Sequence, residues 1–133
     1  MATGHLYADE ADALVRAALE HKVRNLLIQH ADMAIAPVPL DLQMELARRG
    51  AFLEKYYLAC GDDFRSLTVA EMADTIRRIG GEHCALVTDH GQPRNPTAVE
   101  ALSRFVEQLL EADITERQIE RMLKDNPRQL LGI

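Results

Sequence analysis

Tryptophan is absent from this 133-residue chain, and cysteine and basic residues are scarce. The two cysteines, Cys60 and Cys84, lack CxxC spacing, so we expect reduced thiols in a cytoplasmic protein. No apolar run approaches the roughly 20 residues that span a bilayer, and no signal-peptide pattern is seen. With 15 basic and 21 acidic residues the formal charge is −6, which argues against nonspecific nucleic-acid binding. We therefore expect neither a membrane nor a nucleic acid as partner.

The composition that remains is typical of one folded domain. Hydrophobic residues make up 47% and charged residues 27% of the chain, a balance found in globular rather than disordered proteins. A chain of this length can bury a substantial core, so we expect a single domain over residues 1–133.

Apolar periodicity alternates between helix and strand patterns. Residues 9–22 have apolar side chains at helical spacing, and a second helix is predicted over about 40–49, ending at Gly50. Short apolar runs typical of buried strands lie between and after these helices. The three runs are NLLIQH (25–30), AFLEKYYLA (51–59) and CALVT (84–88).

Three capping-box signatures predict where further helices begin. In each, a threonine precedes a Glu or Gln by three residues, so the two side chains can satisfy free backbone N–H groups reciprocally. The pairs are Thr68–Glu71, Thr97–Glu100 and Thr115–Gln118. The second of these helices has an apolar stripe that includes Val99, and the third is expected to end near Asp125. The order α-β-α-β-α-β-α-α with right-handed crossovers predicts an α/β fold with a parallel three-stranded sheet.

Polar residues fall where the predicted strands end. His30 closes the first strand, Asp89 and His90 close the third, and Glu54 lies inside the second. His5 precedes the first helix, in the position of a loop after an earlier strand, and we expect that strand to be missing. The carboxyl ends of parallel strands build the sites of such folds. Four candidate metal ligands therefore map to one end of the sheet: His5, His30, Glu54 and Asp89.

Mixed histidine and carboxylate ligands suit Zn²⁺, Mn²⁺ or Fe²⁺, which lower the pKa of water and produce a hydroxide nucleophile near neutral pH. Each residue also has an ordinary structural interpretation. His30 could be hydrogen-bonded within the fold, and Asp89 could cap the following turn. Glu54 could be exposed on an edge strand beside Lys55. His90 could orient a metal ligand from behind or be a plain loop residue.

Five segments along the chain carry a family resemblance: ATGHLYADEA, LIQHAD, GAFLEKYYL, ALVTDHGQPRNP and NPRQLLGI. Together they resemble the C-terminal half of a metal-dependent hydrolase barrel, from an uncharacterised branch of the amidohydrolase-like superfamily. In such (β/α)₈ barrels a His follows the fifth strand and an Asp ends the eighth, roles that the resemblance assigns to His30 and Asp89. The TGH segment of the branch is matched by Thr3, Gly4 and His5.

The resemblance implies about half of a (β/α)₈ barrel, because a complete one needs roughly 250 residues. The N-terminal half, with the first-strand ligand pair of the family, is then expected to be absent. Parallel strands taken out of a barrel leave unpaired edges and an uncovered apolar inner face. We therefore expect a homodimer or higher homo-oligomer, or a separate chain that supplies the N-terminal half.

Three functions stay open on the sequence. The first is a metal-dependent hydrolase in which His5, His30, Glu54 and Asp89 bind one divalent ion, zinc or manganese. Asp89 would be the catalytic base, and the substrate a small molecule with a hydrolysable C–N, C–O or P–O bond. The second is a noncatalytic oligomerising half-barrel with an incomplete metal site. The third is an unrelated three-layer αβ binding module, which predicts a monomer without metal.

Overall fold

The sheet lies at the centre of the computed structural model, which describes residues 1–61, 64 and 66–133. Its strands, all parallel and in the order β1-β2-β3, are β1 (Leu27–Ile28), β2 (Phe52–Tyr56) and β3 (Cys84–Val87). The predicted α/β class with a parallel three-stranded sheet is confirmed for the described residues. The strands are shorter than the apolar runs that predict them, because the run ends continue as loops or, after β2, as a 3₁₀ turn over Tyr57–Cys60.

The first residues of the chain extend the sheet beyond β1. Ala2 forms a parallel bridge with Leu27, whose carbonyl accepts a hydrogen bond from the Thr3 N–H at 3.0 Å. The Leu27 N–H donates to the Met1 carbonyl at 2.9 Å. This is an isolated bridge and not a further strand, so in the described residues the sheet has three strands and a single bridged residue precedes the segment that carries His5.

Six α-helices form within the described residues: α1 (Ala8–Glu20), α2 (Leu40–Arg48), α3 (Val69–Ile79), α4 (Ala98–Glu111), α5 (Glu116–Glu120) and α6 (Asn126–Leu131). The three predicted capping boxes are confirmed at the starts of α3, α4 and α5, where each threonine hydroxyl accepts from the backbone N–H three residues on. Val99, however, is 77% exposed and does not join the apolar face of α4. Not one of the described helices is long and apolar enough to cross a bilayer.

The C-terminal region continues as helix beyond the predicted end near Asp125. A π-helical turn over Arg121–Asp125 joins α5 to α6. Pro127 lies in the first turn of α6, directly after this π-helical turn, and does not break the continuation. The Asn126 side-chain amide donates to the carbonyls of Gly81 at 2.8 Å and Cys84 at 2.6 Å, which attaches α6 to the start of β3.

Both faces of the central strand β2 are covered. Leu53 belongs to a core with Met72, Ile76 and Phe105, all fully buried. Because side chains alternate along a strand, Phe52 and Glu54 lie on the opposite face, and both are buried within this chain. Neither face of β2 is therefore open to solvent at these positions.

Candidate functional site

His30 and Glu54 meet at the carboxyl edge of the sheet. His30 lies two residues after β1 and Glu54 lies in β2, and the parallel pairing of these strands brings the two side chains together. His30 Nδ1 is 3.5 Å from Glu54 Oε1, and the side chains are 12% and 6% exposed. Nδ1 is buried and forms no hydrogen bond with a described residue. The interpretation of Glu54 as an exposed edge residue is therefore wrong.

Gln29 links the Glu54 carboxylate to the segment that carries His5. Its Nε2 donates to Glu54 Oε2 at 3.2 Å, and its Oε1 accepts from the Gly4 N–H at 3.1 Å. Its backbone N–H donates to Thr3 Oγ1 at 3.0 Å. Gly4 has φ 69°, a left-handed conformation that favours glycine. One glutamine thus fixes the position of the carboxylate relative to the N-terminal loop.

Two aromatic contacts surround the His30 ring. The exposed His5 ring stacks on it with centroids 4.2 Å apart and an interplanar angle of 24°. The Tyr56 ring meets it edge-on, with centroids 4.9 Å apart. Burial, followed by the negative charges of nearby carboxylates, raises the pKa of the Tyr56 hydroxyl, so this phenol stays protonated at neutral pH.

Asp89 follows β3 and lies at the same edge of the sheet. Its charge, together with that of Asp32, is among those that raise the Tyr56 pKa after burial, which places it within electrostatic reach. The residue is exposed, and its carboxylate forms no hydrogen bond in the described part of the chain, so a turn-capping role is not observed. Asp89 (φ 57°) and His30 (φ 54°) both have left-handed backbones.

An ionic network that the sequence reasoning missed lies on the other face of β2. Lys55 Nζ, fully buried, donates to Asp32 Oδ2 at 2.8 Å and to Gln43 Oε1 at 3.0 Å. Gln43 Nε2 donates to Asp32 Oδ1 at 3.0 Å and to the Val38 carbonyl at 2.9 Å. A lysine inside a buried aromatic strand was the available signal, because a buried ammonium needs a partner.

His90 makes its contacts elsewhere. Its Nδ1 lies 2.9 Å from the Thr88 carbonyl oxygen, and its ring stacks on Tyr57 with centroids 5.6 Å apart. It lines a cleft of about 420 Å³ together with Arg94 and Arg104. The predicted role of orienting a metal ligand has no supporting contact among the described residues.

The structure thus brings part of the predicted ligand set together. His30 and Glu54 are adjacent, His5 stacks on His30, and Asp89 stands at the same edge without direct contact to them. As the side chains stand, no three His, Cys, Asp or Glu groups of the described ranges are placed to hold one metal ion.

Comparison with known families covers the N-terminal part of the chain. Residues 1–54 match the model of a family described as "Family of unknown function (DUF6282)". The matched region contains His5, His30 and Glu54 and ends before Asp89. No curated protein shows significant similarity to the sequence.

Proposed function

We propose that the carboxyl edge of this sheet is the divalent-metal site of a metal-dependent hydrolase that acts on a small molecule. One observation carries the proposal: His30 Nδ1 is buried without a hydrogen bond and lies 3.5 Å from Glu54 Oε1. A buried polar atom without a partner is unfavourable, and most such atoms in folded proteins are satisfied. An imidazole nitrogen facing a carboxylate oxygen is a donor combination that suits Zn²⁺ or Mn²⁺.

His30 and Glu54 would form the pair that holds the ion, because both are buried and Gln29 fixes the Glu54 carboxylate. A third ligand would come from His5 or Asp89. Both are exposed, so their side chains can rotate towards the pair at little cost in packing. This requirement for rotation is consistent with the absence of a complete three-residue ligand group in the described structure.

The chemistry would then follow from the residues at the edge. A bound divalent cation supplies a Lewis acid that lowers the pKa of water. Asp89 would accept the proton of the attacking water as general base. Tyr56, whose raised pKa keeps the hydroxyl protonated, would remain a neutral hydrogen-bonding group beside His30.

The same proposal includes the architecture and the partner. The parallel β/α units with polar residues at their carboxyl ends would correspond to half of a (β/α)₈ barrel. A second copy of this chain, or a separate chain that resembles the other half, would complete the ligand set. Light scattering after size exclusion tests the first of these partners: an assembly larger than 14.9 kDa supports a second copy, and a monomer at high micromolar concentration contradicts it and leaves the separate chain.

The noncatalytic alternative is favoured by a specific observation, the incomplete ligand group among the described residues. In that case the chain would keep the architecture and bind metal weakly or not at all. The two functions therefore differ in metal content and in hydrolysis.

Metal analysis of protein purified without chelator tests the proposal. We expect about one zinc or manganese ion per site, and affinity at least 100-fold lower in a His30→Ala, Glu54→Gln double variant, since both buried ligands are lost. His83→Ala is the control, because His83 contacts Phe52 rather than the site. Background metal in the wild type, or unchanged affinity in the double variant, would overturn the metal site. Background metal together with no hydrolysis of ester, amide and phosphate substrates is the result that the noncatalytic alternative predicts, whereas full metal loading without hydrolysis would support the metal site and contradict the hydrolase.

A further inference from the structure

We propose that the Tyr56 hydroxyl is a catalytic group of the candidate site, and that the substrate is an ester or an amide. The hydroxyl donates a hydrogen bond to the carbonyl oxygen of this substrate, on which negative charge develops during hydrolysis. The role in catalysis rests on the proposed function, whereas an open hydrogen-bond donor at this position does not. The family match ends at residue 54 and does not include Tyr56.

The central strand places Tyr56 among the residues of the candidate site. Tyr56 is the last residue of β2 and lies on the same face as Glu54, because side chains alternate along a strand. Its ring meets the His30 ring edge-on, with centroids 4.9 Å apart. Since β2 lies between β1 and β3, its carboxyl end is flanked by the loop that contains His30 and by the loop that contains Asp89. Parallel α/β folds bind their ligands at this edge.

The Tyr56 ring is enclosed, but its hydroxyl has no protein partner. Tyr56 is only 2% exposed, and its hydroxyl forms no hydrogen bond with a residue that the structure describes. Within the described chain, His30 Nδ1 is the one completely buried polar side-chain atom without a partner. The Tyr56 oxygen therefore reaches the surface of the site. Polar atoms of enclosed side chains are usually hydrogen-bonded, so the partner of this hydroxyl comes from water or from a bound molecule.

The neighbouring tyrosine differs in this respect. The Tyr57 hydroxyl contacts Gln108 Oε1 at 3.4 Å, at an exposed position on the surface of α4. The Tyr57 ring stacks on the buried Phe105 with centroids 5.0 Å apart. Two consecutive tyrosines thus have different surroundings, and only the Tyr56 hydroxyl opens at the candidate site.

The surroundings of Tyr56 keep its hydroxyl in the donor form. Burial has the largest effect in raising its pKa, followed by the charges of Asp32, Asp89 and Glu54. A phenol with a raised pKa keeps its hydrogen at neutral pH and is a poor source of protons. It can still donate a hydrogen bond, and hydrogen bonds to a charged oxygen are about twice as strong as those to a neutral one.

Such a donor contributes most where an oxygen changes from neutral to negative during the reaction. When water attacks an ester or amide, the water oxygen forms a bond to the carbonyl carbon, and the π electrons of the C=O bond move to the carbonyl oxygen. The proton of the water goes to Asp89, while Tyr56 keeps its own proton. A phosphate ester is already charged before it reacts, so a neutral donor discriminates less between its ground state and its transition state. The fixed phenol therefore favours acyl substrates.

Hydrolysis of p-nitrophenyl acetate by the zinc-loaded full chain tests the inference. Tyr56→Phe removes the hydroxyl and retains the ring that contacts His30. We expect kcat to fall about 100-fold or more with KM changed by less than about threefold, since the hydrogen bond strengthens in the transition state. Zinc affinity and the urea midpoint should not change, because the hydroxyl has no partner in the described fold. Tyr57→Phe is the matched control and should retain the wild-type kcat, since its hydroxyl contacts Gln108.

Binding of methylphosphonate to the zinc-loaded chain provides a second readout that needs no turnover. Its tetrahedral carbon-bound phosphorus and charged oxygens resemble the hydrated carbonyl, so we expect affinity about tenfold or more lower in Tyr56→Phe and unchanged in Tyr57→Phe. Calorimetry measures the affinity, and far-UV circular dichroism verifies that both variants are folded.

The outcomes separate this inference from the proposed function. If the wild type hydrolyses the ester, an unchanged kcat in Tyr56→Phe, an equal loss in Tyr57→Phe, or a parallel loss of zinc affinity overturns the role of Tyr56 alone. A larger loss for p-nitrophenyl phosphate than for the acetate contradicts the acyl substrate class. If the wild type does not hydrolyse either compound, the hydrolase is contradicted, and methylphosphonate decides whether Tyr56 is a donor to a bound oxygen. A wild type that binds neither zinc nor methylphosphonate overturns both proposals.

Discussion

Lys55 Nζ lies 2.8 Å from Asp32 Oδ2 in an ion pair whose lysine has no solvent exposure. Gln43 hydrogen-bonds to both partners, so the two charges are paired and their polar atoms largely satisfied. Under these conditions a buried ion pair is tolerated, whereas loss of one partner leaves an uncompensated buried charge. The pair attaches the loop that contains His30 and Asp32 to β2 and thereby supports the candidate site from the opposite face.

Removal of the Asp32 carboxylate should destabilise the fold strongly. We expect Asp32→Ala to lower the free energy of unfolding by about 3–5 kcal/mol, because Lys55 stays buried without its partner. Urea denaturation measures the change. Asp41→Ala is the control, with an expected effect below about 0.5 kcal/mol, since Asp41 is 95% exposed. Replacing both charges, with Lys55→Met added to Asp32→Ala, should recover part of the loss. Equal effects of Asp32→Ala and Asp41→Ala would contradict the argument.

Gln29 should act on the proposed metal site more than on stability. Gln29→Ala removes the hydrogen bonds to the Glu54 carboxylate and to the Gly4 N–H. We expect metal affinity to fall about 10- to 100-fold, as for other residues that orient metal ligands. The free energy of unfolding should change by only about 1–2 kcal/mol. Competition with a chelating dye gives the affinity, and Gln108→Ala, at the exposed Tyr57 hydroxyl contact, is the control. A metal affinity that does not change would exclude a positioning role.

Part of the dependence of stability on pH should come from the capping box of α3. Hydrogen bonds from the Thr68 backbone and hydroxyl lower the pKa of Glu71 below its ordinary value of 4.5. A carboxyl with a lowered folded pKa stabilises fully above its unfolded pKa, and this contribution is lost as pH falls through the folded pKa. Glu71→Gln should therefore reduce the loss of thermal stability on acidification below about pH 5.

The capping box of α5 provides the matched control for that experiment. Gln118 stands there at the position that Glu71 has in the box of α3, and its amide cannot titrate. Gln118→Ala should lower the melting temperature by a similar amount at pH 4 and pH 7, whereas the effect of Glu71→Gln should shrink on acidification. If the two variants show the same pH profile, the Glu71 carboxylate is not the titrating group.

The two cysteines should be slow to react in the folded protein. Burial raises the pKa of both the Cys60 and the Cys84 thiol to about 12, against an ordinary value of 9.0. Since only the thiolate reacts, thiols with pKa values raised this far by burial are almost entirely protonated and unreactive at neutral pH. A disulfide-exchange reagent at pH 7.5 should label neither thiol quickly in the native chain and both in urea. Rapid labelling of Cys60 before unfolding would disagree with its raised pKa.

Local sequence signals predicted most of the fold. Thr68, Thr97 and Thr115 each begin a helix, because a capping box depends on four consecutive residues and needs no tertiary information. The predicted end of the C-terminal helical region, near Asp125, was wrong. The Asn126 side chain donates to carbonyls more than 40 residues away in the sequence, and these hydrogen bonds stabilise helix beyond Asp125. That partner is invisible in a local pattern.

The candidate site was predictable in position and only partly in composition. His30 and Glu54 could be placed together because the carboxyl ends of parallel strands share an edge. Gln29 was missed because a neutral amide has no characteristic sequence spacing. Its contacts with Gly4 and Glu54 are seen only in the folded chain. His90, next to Asp89, contacts the Thr88 carbonyl and the Tyr57 ring, because adjacent residues in a turn point in different directions and therefore have different surroundings.

The left-handed backbones of His30 and Asp89 set stability and the proposed activity against each other. A residue with a side chain lowers the stability of the fold by about 1 kcal/mol or more in this conformation, and glycine does not. Asp89 is the clearer case, because its exposed side chain contributes little packing in return. Selection for heat resistance alone would therefore enrich glycine at position 89, and selection that also scores metal binding would retain the aspartate. A library varied at this one codon, selected separately for heat resistance and for metal binding, would show whether the two requirements favour different residues at position 89.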